Sequence, residues 1–527
     1  MLIGLSSSRR WVAVIGVATI VVLLLFLQSE SGSSALETVK SQLPRPPSFG
    51  DSPPPPPESP PAEAPPPTEN AENKDKKPDD ALPPSPPPPP HPKYKEIVSA
   101  AGGYEPPPVR DPFPLLANSP ASVLPPPIPE WNKPREGMYK EYGLSVPPPL
   151  LIGFSRSWPM LLQAVVSYIT AGWPPEQIYV VENTGVQQAN TRGQLTLQHP
   201  YYLNHTTLGR LGVKIIQTPV LLNFAQLQNF YLSLTYTHGW PYYFWSHMDV
   251  LALSYEEGIT SGPNAGLTGP YDGSNGTYKT VYELCLQALQ GTLLDDGLRW
   301  GLRFFAYDHL ALVNPKAYEA IGGWDTFIPY YLTDCDLHDR LRMANWTIQD
   351  RTAGIITDVN TILEDLSTLY RVGDVSDPKF VDPNPPPPKE EEKKKEEKEE
   401  GEKKEGEAPK EKRQGQAGDK KDGKDEKPKQ VSTGDPNLDK WQRLRDVADR
   451  MRDFKYAGPT RNTWQAAQKG GRGEPFYYPS DGIAEAIDVI TEAGREVYRR
   501  KWGHRDCDLI AGAGLSLGDE WLVEKDW

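Results

Sequence analysis

Residues 322–346 read GGWDTFIPYYLTDCDLHDRLRMANW, and the order of residue types in this stretch is its most informative property. Two adjacent glycines let the backbone approach a ligand closely, and Trp324 follows them with a flat apolar face. Asp334 and Asp336 then flank Cys335, and either carboxylate could act as a general base. A basic amphipathic segment completes the stretch. This order predicts a site in which a carboxylate lies close to a sugar ring.

The two acids also fit a purely structural role. Carboxylates in the first turn of a helix interact favourably with its unpaired N–H groups, and we expect a helix to begin near Leu337. One acid could then be the base while the other caps the helix or binds an acceptor hydroxyl. Cys335 is interpreted as a small packing residue. Together with Cys285 and Cys507 it gives no zinc spacing and allows at most one disulfide.

Upstream of this stretch, strands and helices alternate along the chain. Apolar runs predict strands at 150–154, 177–181, 213–217 and 242–246, and amphipathic periodicity predicts helices at 159–171 and 223–238. This alternation is typical of an α/β fold with a parallel sheet covered by helices. Ligands bind such sheets at the carboxyl ends of the strands.

Two polar clusters fall at those strand ends. Glu182 and Asn183 follow one strand, and Glu182 could bind a nucleobase or ribose or be an ordinary solvated turn acid. His247 and Asp249 follow another strand and lie on the same face, so they could hold a divalent cation with a diphosphate. Asp249 could equally cap a turn. His504, near the C-terminus, is either a further metal ligand or a surface histidine.

Much of the 527-residue chain has a composition that does not build a core. The 58 prolines cluster at 43–148 and 383–388, and residues 389–429 are almost entirely Lys, Glu, Gly, Asp and Gln. Such segments bury too little apolar surface to offset the entropy of ordering, so we expect disorder there. The net charge of −14 and the absence of a basic stripe with aromatics in the foldable part exclude nucleic acid as a partner.

A membrane anchor is predicted at the N-terminus. Residues 11–27, WVAVIGVATIVVLLLFL, are long enough to cross a bilayer core, and Arg9 and Arg10 precede them. The positive-inside rule then leaves a cytosolic tail at 1–10 and places the rest in a lumen. A cleaved signal peptide is the alternative. Residues 28–147 would be a disordered, Pro-rich stem. This layout resembles that of Golgi-resident type II transferases.

Several motifs, taken in chain order, resemble the inverting family 2 glycosyltransferases and their relatives with the GT-A fold. YVVEN at 179–183 matches the strand that ends in an acid and Asn, and NFAQLQN at 223–229 matches more loosely a helix start with two asparagines. YFWSHMDVLAL at 243–253 occupies the place of the DXD metal motif. Residues 322–346 match the catalytic motif in register at about ten positions. VYRRKWGHRD at 497–506 is similar to a segment that closes some of these domains.

The resemblance implies a Rossmann-like, nucleotide-sugar-binding GT-A domain over 148–373 and 436–527, interrupted by a disordered insertion at 374–435. By resemblance Asp334 takes the place of the catalytic base, Asp336 that of its neighbour, and Arg340 matches the arginine that follows. The resemblance implies these donor-binding residues: Glu182, Asn183, Asn223, Asn229, Gly323, Trp324 and Asp325. It implies Mn²⁺ or Mg²⁺ as cofactor, held by Asp249, His247 and His504.

Two positions depart from the family pattern. His247 stands where the motif has its first Asp, which bears on metal dependence, and Thr333 stands where the motif has a Glu beside Asp334. The expected function is transfer of a hexose from a nucleotide-sugar to a glycan or glycoconjugate acceptor in the Golgi lumen, with inversion and metal assistance. A partner role beside other Golgi transferases is included in that expectation. A retaining transferase of the same fold and a non-catalytic lumenal binding or scaffold protein remain the alternatives.

Overall fold

A computed structural model describes residues 107–271, 276–295, 299–372, 378–385, 433–457 and 470–527. The predicted tail, the anchor at 11–27 and the stem up to residue 106 lie outside these ranges, as does most of the insertion at 374–435. No helix within the described ranges is long and apolar enough to cross a bilayer. The type II orientation and the Golgi location therefore stay predictions.

The strands are β1 Leu150–Phe154, β2 Ile178–Glu182, β3 Lys214–Gln217, β4 Tyr243–Ser246, β5 Val250–Leu253, β6 Trp300–Phe304, β7 Leu310–Val313, β8 Thr347–Asp350, β9 Ile355–Asp358, β10 Ile362–Leu363 and β11 Phe380–Val381. Among the described residues, seven of them form one central sheet in the order β3-β2-β1-β4-β7-β6-β8. The four predicted strands are all present in it. The fold is therefore α/β with a mainly parallel central sheet.

The expectation of a wholly parallel sheet is wrong at one strand. β7 pairs antiparallel with both β4 and β6, whereas β1, β2, β3 and β4 are parallel to their neighbours within that group and β6 is parallel to β8. The reason is the connection between β6 and β7, which is only residues 305–309. A parallel pair needs a crossover connection of a dozen or more residues. Because the connection here is much shorter, β6 and β7 can pair only as an antiparallel hairpin.

A second, two-stranded sheet continues the chain beyond β4. β5 begins at the residue after Asp249 and pairs antiparallel with β9, in a register that places Val250 opposite Asp358. β10 and β11 form another short antiparallel pair. The pairing of β5 with β9 brings Asp249 and Asp358 side by side at the carboxyl end of β4.

The helices are α1 Pro114–Ala117, α2 Met138–Glu141, α3 Trp158–Thr170, α4 Gln187–Thr191, α5 His205–Arg210, α6 Phe224–His238, α7 Val281–Leu294, α8 Pro315–Ala320, α9 Thr333–Met343, α10 Pro436–Ala457 and α11 Ser480–Trp502. The predicted helices 159–171 and 223–238 correspond to α3 and α6. All thirteen residues of α3 are buried, and the helix packs against β5, β10 and the 3₁₀ helix Leu366–Tyr370. α6 ends at Gly239, which has φ +67° and so terminates the helix in the left-handed region.

The ordered domain begins before residue 148. Residues 107–147, which the sequence assigns to the stem, pack on the domain and bury Phe113, Leu116, Met138 and Leu144. Asp111 accepts a hydrogen bond from the indole N–H of Trp158 at 3.0 Å. Apolar residues spaced among the prolines of this segment supply the burial, and this explains the difference from the prediction.

The segment after the insertion belongs to the same compact unit as residues 107–372. α10 buries Trp441, Leu444, Val447 and Met451, and three of these four lie in the main core. α11 contributes Tyr498 and Trp502 to a separate cluster with Ile328 and Leu509. The two halves thus form one continuous packing arrangement.

A disulfide joins these halves covalently. Cys335 in α9 is bonded to Cys507, 172 residues later, whereas Cys285 is free and buried. The interpretation of Cys335 as a mere packing residue is therefore wrong. Sequence spacing could not identify the pair, because three cysteines allow any of three pairings.

We expect loss of this disulfide to destabilise the domain, because it closes a long loop in the unfolded chain. The double variant C335S/C507S should lose about 2–5 kcal/mol of unfolding free energy. Urea denaturation of the wild type with and without dithiothreitol, and of the double variant, measures the effect. Dithiothreitol should leave the double variant unchanged. An equal sensitivity to reductant in both proteins would contradict the prediction.

Candidate functional site

A short turn between β6 and β7 connects most of the polar groups at the strand ends. This turn is a 3₁₀ helix, Tyr307–His309. The Tyr307 hydroxyl donates to Asp334 Oδ2 at 3.3 Å, and the backbone carbonyl of His309 accepts from the N–H of His247 at 3.1 Å. Ala306 and Tyr307 have φ of +71° and +54°, a left-handed conformation that costs non-glycine residues energy. The turn therefore ties the end of β4 to the start of α9.

Asp249 lies in a buried cluster of charges. Its Oδ2 accepts from Lys455 Nζ at 3.0 Å, and Lys455 also donates to Asp358 Oδ1 at 2.5 Å and to the Val359 carbonyl at 3.2 Å. The Lys455 side chain is 1% exposed. His247 lies between Asp249 Oδ1, at 3.5 Å from its Nδ1, and Asp308 of the 3₁₀ turn. α10 thus inserts a cation where the sequence predicts a metal.

The charge states in this cluster follow from the mutual contacts. Burial by itself lowers the pKa of His247, but the carboxylates of Asp308 and Asp249 outweigh it and raise that pKa to about 10. Burial would raise the pKa of Asp249, but Lys455 and His247 hold it well below its usual range. The pKa of Lys455 is likewise raised, since the two carboxylates offset its burial. Ammonium and imidazolium therefore face ionised carboxylates.

This donor set does not fit the predicted Mn²⁺ or Mg²⁺. Over the ranges that the structure describes, no group of three or more His, Cys, Asp or Glu side chains is arranged to hold a metal ion. The ammonium of Lys455 already contacts Asp249 and Asp358, so a cation side chain fills the place between the carboxylates that would ligate the metal. In the described C-terminal segment, the ring nitrogens of His504 contact Asp508 at 2.7 Å and Asp526, not Asp249.

Asp334 and Asp336 occupy different environments although they are two residues apart. α9 begins at Thr333, earlier than predicted, so both acids lie in its first turn. Asp336 is fully buried and accepts from Arg340 Nε at 2.8 Å and Trp502 Nε1 at 2.9 Å. Lys501 Nζ lies 2.7 Å from it as well. Asp336 is therefore a structural anchor that a substrate does not reach.

Asp334 is half-buried, and its contact with Tyr307 leaves part of the carboxylate accessible. Arg340, which the resemblance also singled out, donates to the carbonyls of Ile321 and Gly323 at 2.8 and 2.9 Å. It therefore braces the turn before Trp324. Of the two predicted catalytic acids, Asp334 is the one with access to a ligand.

The predicted sugar-binding residues of the same motif brace the domain from within. The side chain of Asn229 accepts from the N–H of Trp324 and donates to its carbonyl, both at 2.9 Å. A Cβ on Gly323 would lie 2.6 Å from Asn229 Oδ1, which explains the glycine. Trp324 is 4% exposed and stacks edge-on against Phe224, so its face is not available to a sugar. Asp325 accepts from Lys501 at 2.8 Å.

The predicted nucleotide-binding residues at the end of β2 are also buried. Glu182 is fully buried, accepts from Asn190 and Gln217 at 2.9 Å each, and contacts His205 at the same distance. It is not the solvated turn acid that the sequence allowed. Burial raises its pKa, but these hydrogen bonds outweigh it and the net pKa is lowered.

The two remaining asparagines hold the backbone. Asn183 donates to the Leu222 carbonyl and accepts from the Leu222 N–H, both at 2.8 Å. Asn223 is the N-cap of α6 and forms a capping box with Gln226. Both therefore fix the loop between β3 and α6 beside the strand ends.

Sequence analysis missed Asp308, Asp358 and Lys455, which complete the charge cluster. The sequence could have indicated the first two. Asp308 lies in YDH between two apolar strands, and Asp358 ends the strand IITD, so both are acids at strand ends. It also missed Arg156, two residues beyond β1, whose Nε is buried without a hydrogen-bond partner. Lys455 carries no local signal.

No protein-family model and no curated protein matches this chain. Among solved structures, it is similar to a mannosyltransferase from Pyrobaculum calidifontis in complex with GDP-mannose and Mn²⁺, at 12% identity and a TM-score of 0.24, over 41% of this chain and 60% of that one. It is also similar to a cytidylyltransferase from Leptospira borgpetersenii, at 9% identity and a TM-score of 0.24, over 39% and 76% of the two chains. Both neighbours are named as transferases.

Substitutions of Asp334 and Asp336 should differ in their effect on the free energy of unfolding. Asp336→Asn should lower the unfolding free energy by about 3–5 kcal/mol, because it leaves the buried Arg340 without its carboxylate and removes one of the two carboxylates, Asp325 and Asp336, that Lys501 contacts. Asp334→Asn loses one partly exposed hydrogen bond and should cost less than about 1 kcal/mol. Urea denaturation of both variants tests this. Equal losses in the two variants would show that Asp336 is not the anchor.

Glu182 should contribute to acid sensitivity. Its pKa is lowered from an ordinary 4.5 in the folded state, so its stabilisation is present above that value and is lost as the pH falls through the lowered folded pKa. In Glu182→Gln, the unfolding free energy should therefore depend less on pH below about 4.5 than in the wild type. Denaturation series at several pH values measure both slopes. An unchanged slope in the variant would contradict the assignment.

Proposed function

We propose that this domain is a glycosyltransferase of the GT-A type that moves a hexose from a nucleotide-sugar to a glycan or glycoconjugate acceptor, with inversion. The observation that carries the proposal is the position of Asp334. It is a partly accessible carboxylate at the carboxyl edge of a mainly parallel sheet, where ligands bind in such folds. The Tyr307 hydroxyl orients it from the turn that also contacts the end of β4.

In the proposed reaction, Asp334 removes the proton from an acceptor hydroxyl. The acceptor oxygen forms a bond to the anomeric carbon while the bond between that carbon and the phosphate oxygen breaks, and its electron pair leaves with the nucleoside diphosphate. A single displacement of this kind inverts the anomeric configuration. No step in it passes through a metal, because the residues around Asp249 do not fit one.

The proposed location is the lumen of the Golgi, with residues 11–27 as the anchor and other Golgi transferases as possible neighbours in the membrane. The disulfide between Cys335 and Cys507 supports a lumenal site, because such bonds persist in oxidising compartments. Asn204 and Asn345 stand in Asn-x-Thr sequences, as lumenal glycosylation requires.

A non-catalytic binding or scaffold function is the second candidate. The observation in its favour is Lys455, whose ammonium donates hydrogen bonds to both Asp249 and Asp358 and lies where the sequence predicts the metal cofactor. A scaffold protein needs no catalytic base, so under this function Asp334 is only one of the residues in the first turn of α9. Turnover therefore separates the two candidates.

A donor screen tests the proposal. The full-length chain, purified in detergent, is incubated with UDP- and GDP-hexoses and mixed glycan acceptors while nucleotide release is followed. We expect release from one donor, and a decrease in kcat of about 10²- to 10⁴-fold in Asp334→Asn. Asp350→Asn, an exposed acid at the end of β8, is the matched control and should match the wild type. Nucleotide binding without turnover by the wild type would favour the scaffold function instead.

A further inference from the structure

Arg156 is a cation at the strand ends, and none of the contacts described so far involves it. Its Nε is buried and has no hydrogen-bond partner, and within the described residues no hydrogen bond or ion pair reaches its guanidinium. Removing a charged donor from water without a partner is costly, so such a group is rare unless a ligand completes it. The pKa of Arg156 is lowered by this burial.

The position of Arg156 places it between the two polar clusters of the site. It follows β1, which pairs with β2 on one side and β4 on the other. The residue after it, Ser157, has φ +71° and donates its N–H to the Pro200 carbonyl, so the loop turns sharply here. The guanidinium lies within electrostatic range of Tyr201 and Tyr330, and Tyr330 precedes Asp334 by four residues. Arg156 thus follows the strand between β2 and β4 and interacts electrostatically with the segment that leads into α9.

The other cations of the site are already neutralised. Lys455 and His247 are surrounded by the carboxylates of Asp249, Asp308 and Asp358, so neither has charge to spare for an anion. A nucleoside diphosphate that leaves a sugar nevertheless needs positive charge or hydrogen-bond donors beside it. In the described part of this edge, Arg156 is a cation without a carboxylate partner.

We propose that Arg156 binds the diphosphate of the donor through its guanidinium, and that donor binding in this protein does not require a divalent cation. The inference rests on the proposed function and adds the residue that holds the donor. Guanidinium groups bind phosphate oxygens in a bidentate, charge-assisted manner. As the bond from the anomeric carbon to the phosphate oxygen breaks, the negative charge that develops on the diphosphate remains against Arg156.

Isothermal titration calorimetry on the full-length chain tests this inference, with UDP, GDP and the matching nucleosides as probes, in EDTA and in Mn²⁺. We expect the wild type to bind one diphosphate with the same Kd in both buffers. Arg156→Gln should weaken that binding by about 10- to 100-fold while nucleoside binding stays unchanged. Arg156→Lys, which keeps the charge but not the bidentate geometry, should fall between the two.

Arg192→Gln is the matched control, because Arg192 is an exposed arginine bonded to Gln188 within the same helical turn. It should bind as the wild type does. Loss of diphosphate binding in EDTA, or wild-type binding by Arg156→Gln, would overturn the inference and leave the transferase proposal standing. Absence of any nucleotide binding and of any donor turnover in the wild type would overturn both. Retained nucleoside binding shows that Arg156→Gln is folded.

Discussion

The buried ammonium of Lys455 is the constraint on which the site depends. A cation with 1% of its side chain exposed must keep its carboxylate partners, because an unpaired buried charge costs several kcal/mol. These partners are Asp249, which lies between β4 and β5, and Asp358 at the end of β9. The ammonium is therefore neutralised only when β5 pairs with β9 and α10 packs beside them. The strand ends are thereby closed from one side by a segment that follows the insertion.

A second buried ion pair holds the C-terminal segment to α9. Asp336 joins α9 to Lys501 and Trp502 of α11, and the disulfide from the neighbouring Cys335 reinforces the same contact. The turn with Tyr307 contacts both clusters, since it bonds His247 beside Asp249 and Asp334 at the start of α9. A long insertion is compatible with this arrangement, because loop-closure entropy grows only slowly with loop length. The domain is therefore interrupted in sequence but continuous in space.

Local patterns in the sequence were sufficient for the elements that lie close together along the chain. β1 to β4, α3 and α6 follow from apolar runs and helical periodicity, and the structure places them within one or two residues of the predictions. The antiparallel β7 was not predicted, because no helix or strand was assigned between 254 and 321. The position of Asp334 and Asp336 at a helix start was predictable, but only burial separates the partly accessible Asp334 from the buried Asp336.

The charge cluster could not have been derived from sequence alone. Lys455 and Asp249 are 206 residues apart, and a lysine in an amphipathic helix gives no sign that its end is buried. For the same reason His504 was a plausible ligand in sequence, although its contacts lie within its own segment. Trp324 is a case in which the local pattern was ambiguous. An aromatic residue beside two glycines is as consistent with a buried core residue as with a ring that stacks on a sugar.

The distances between these partners along the chain also determine when the domain can fold. A ribosome that has synthesised residues up to 430 has exposed Asp249, Asp336 and Asp358, but the cations of α10 and α11 have not yet been made. The nascent chain therefore lacks the two lysines, Lys455 and Lys501, that these carboxylates contact in the complete domain, and its β5–β9 pair lacks the helix that packs on β9. The complete set of buried ion pairs can therefore form only after α11 has emerged, close to the end of synthesis, whereas a domain with local ion pairs can form them earlier.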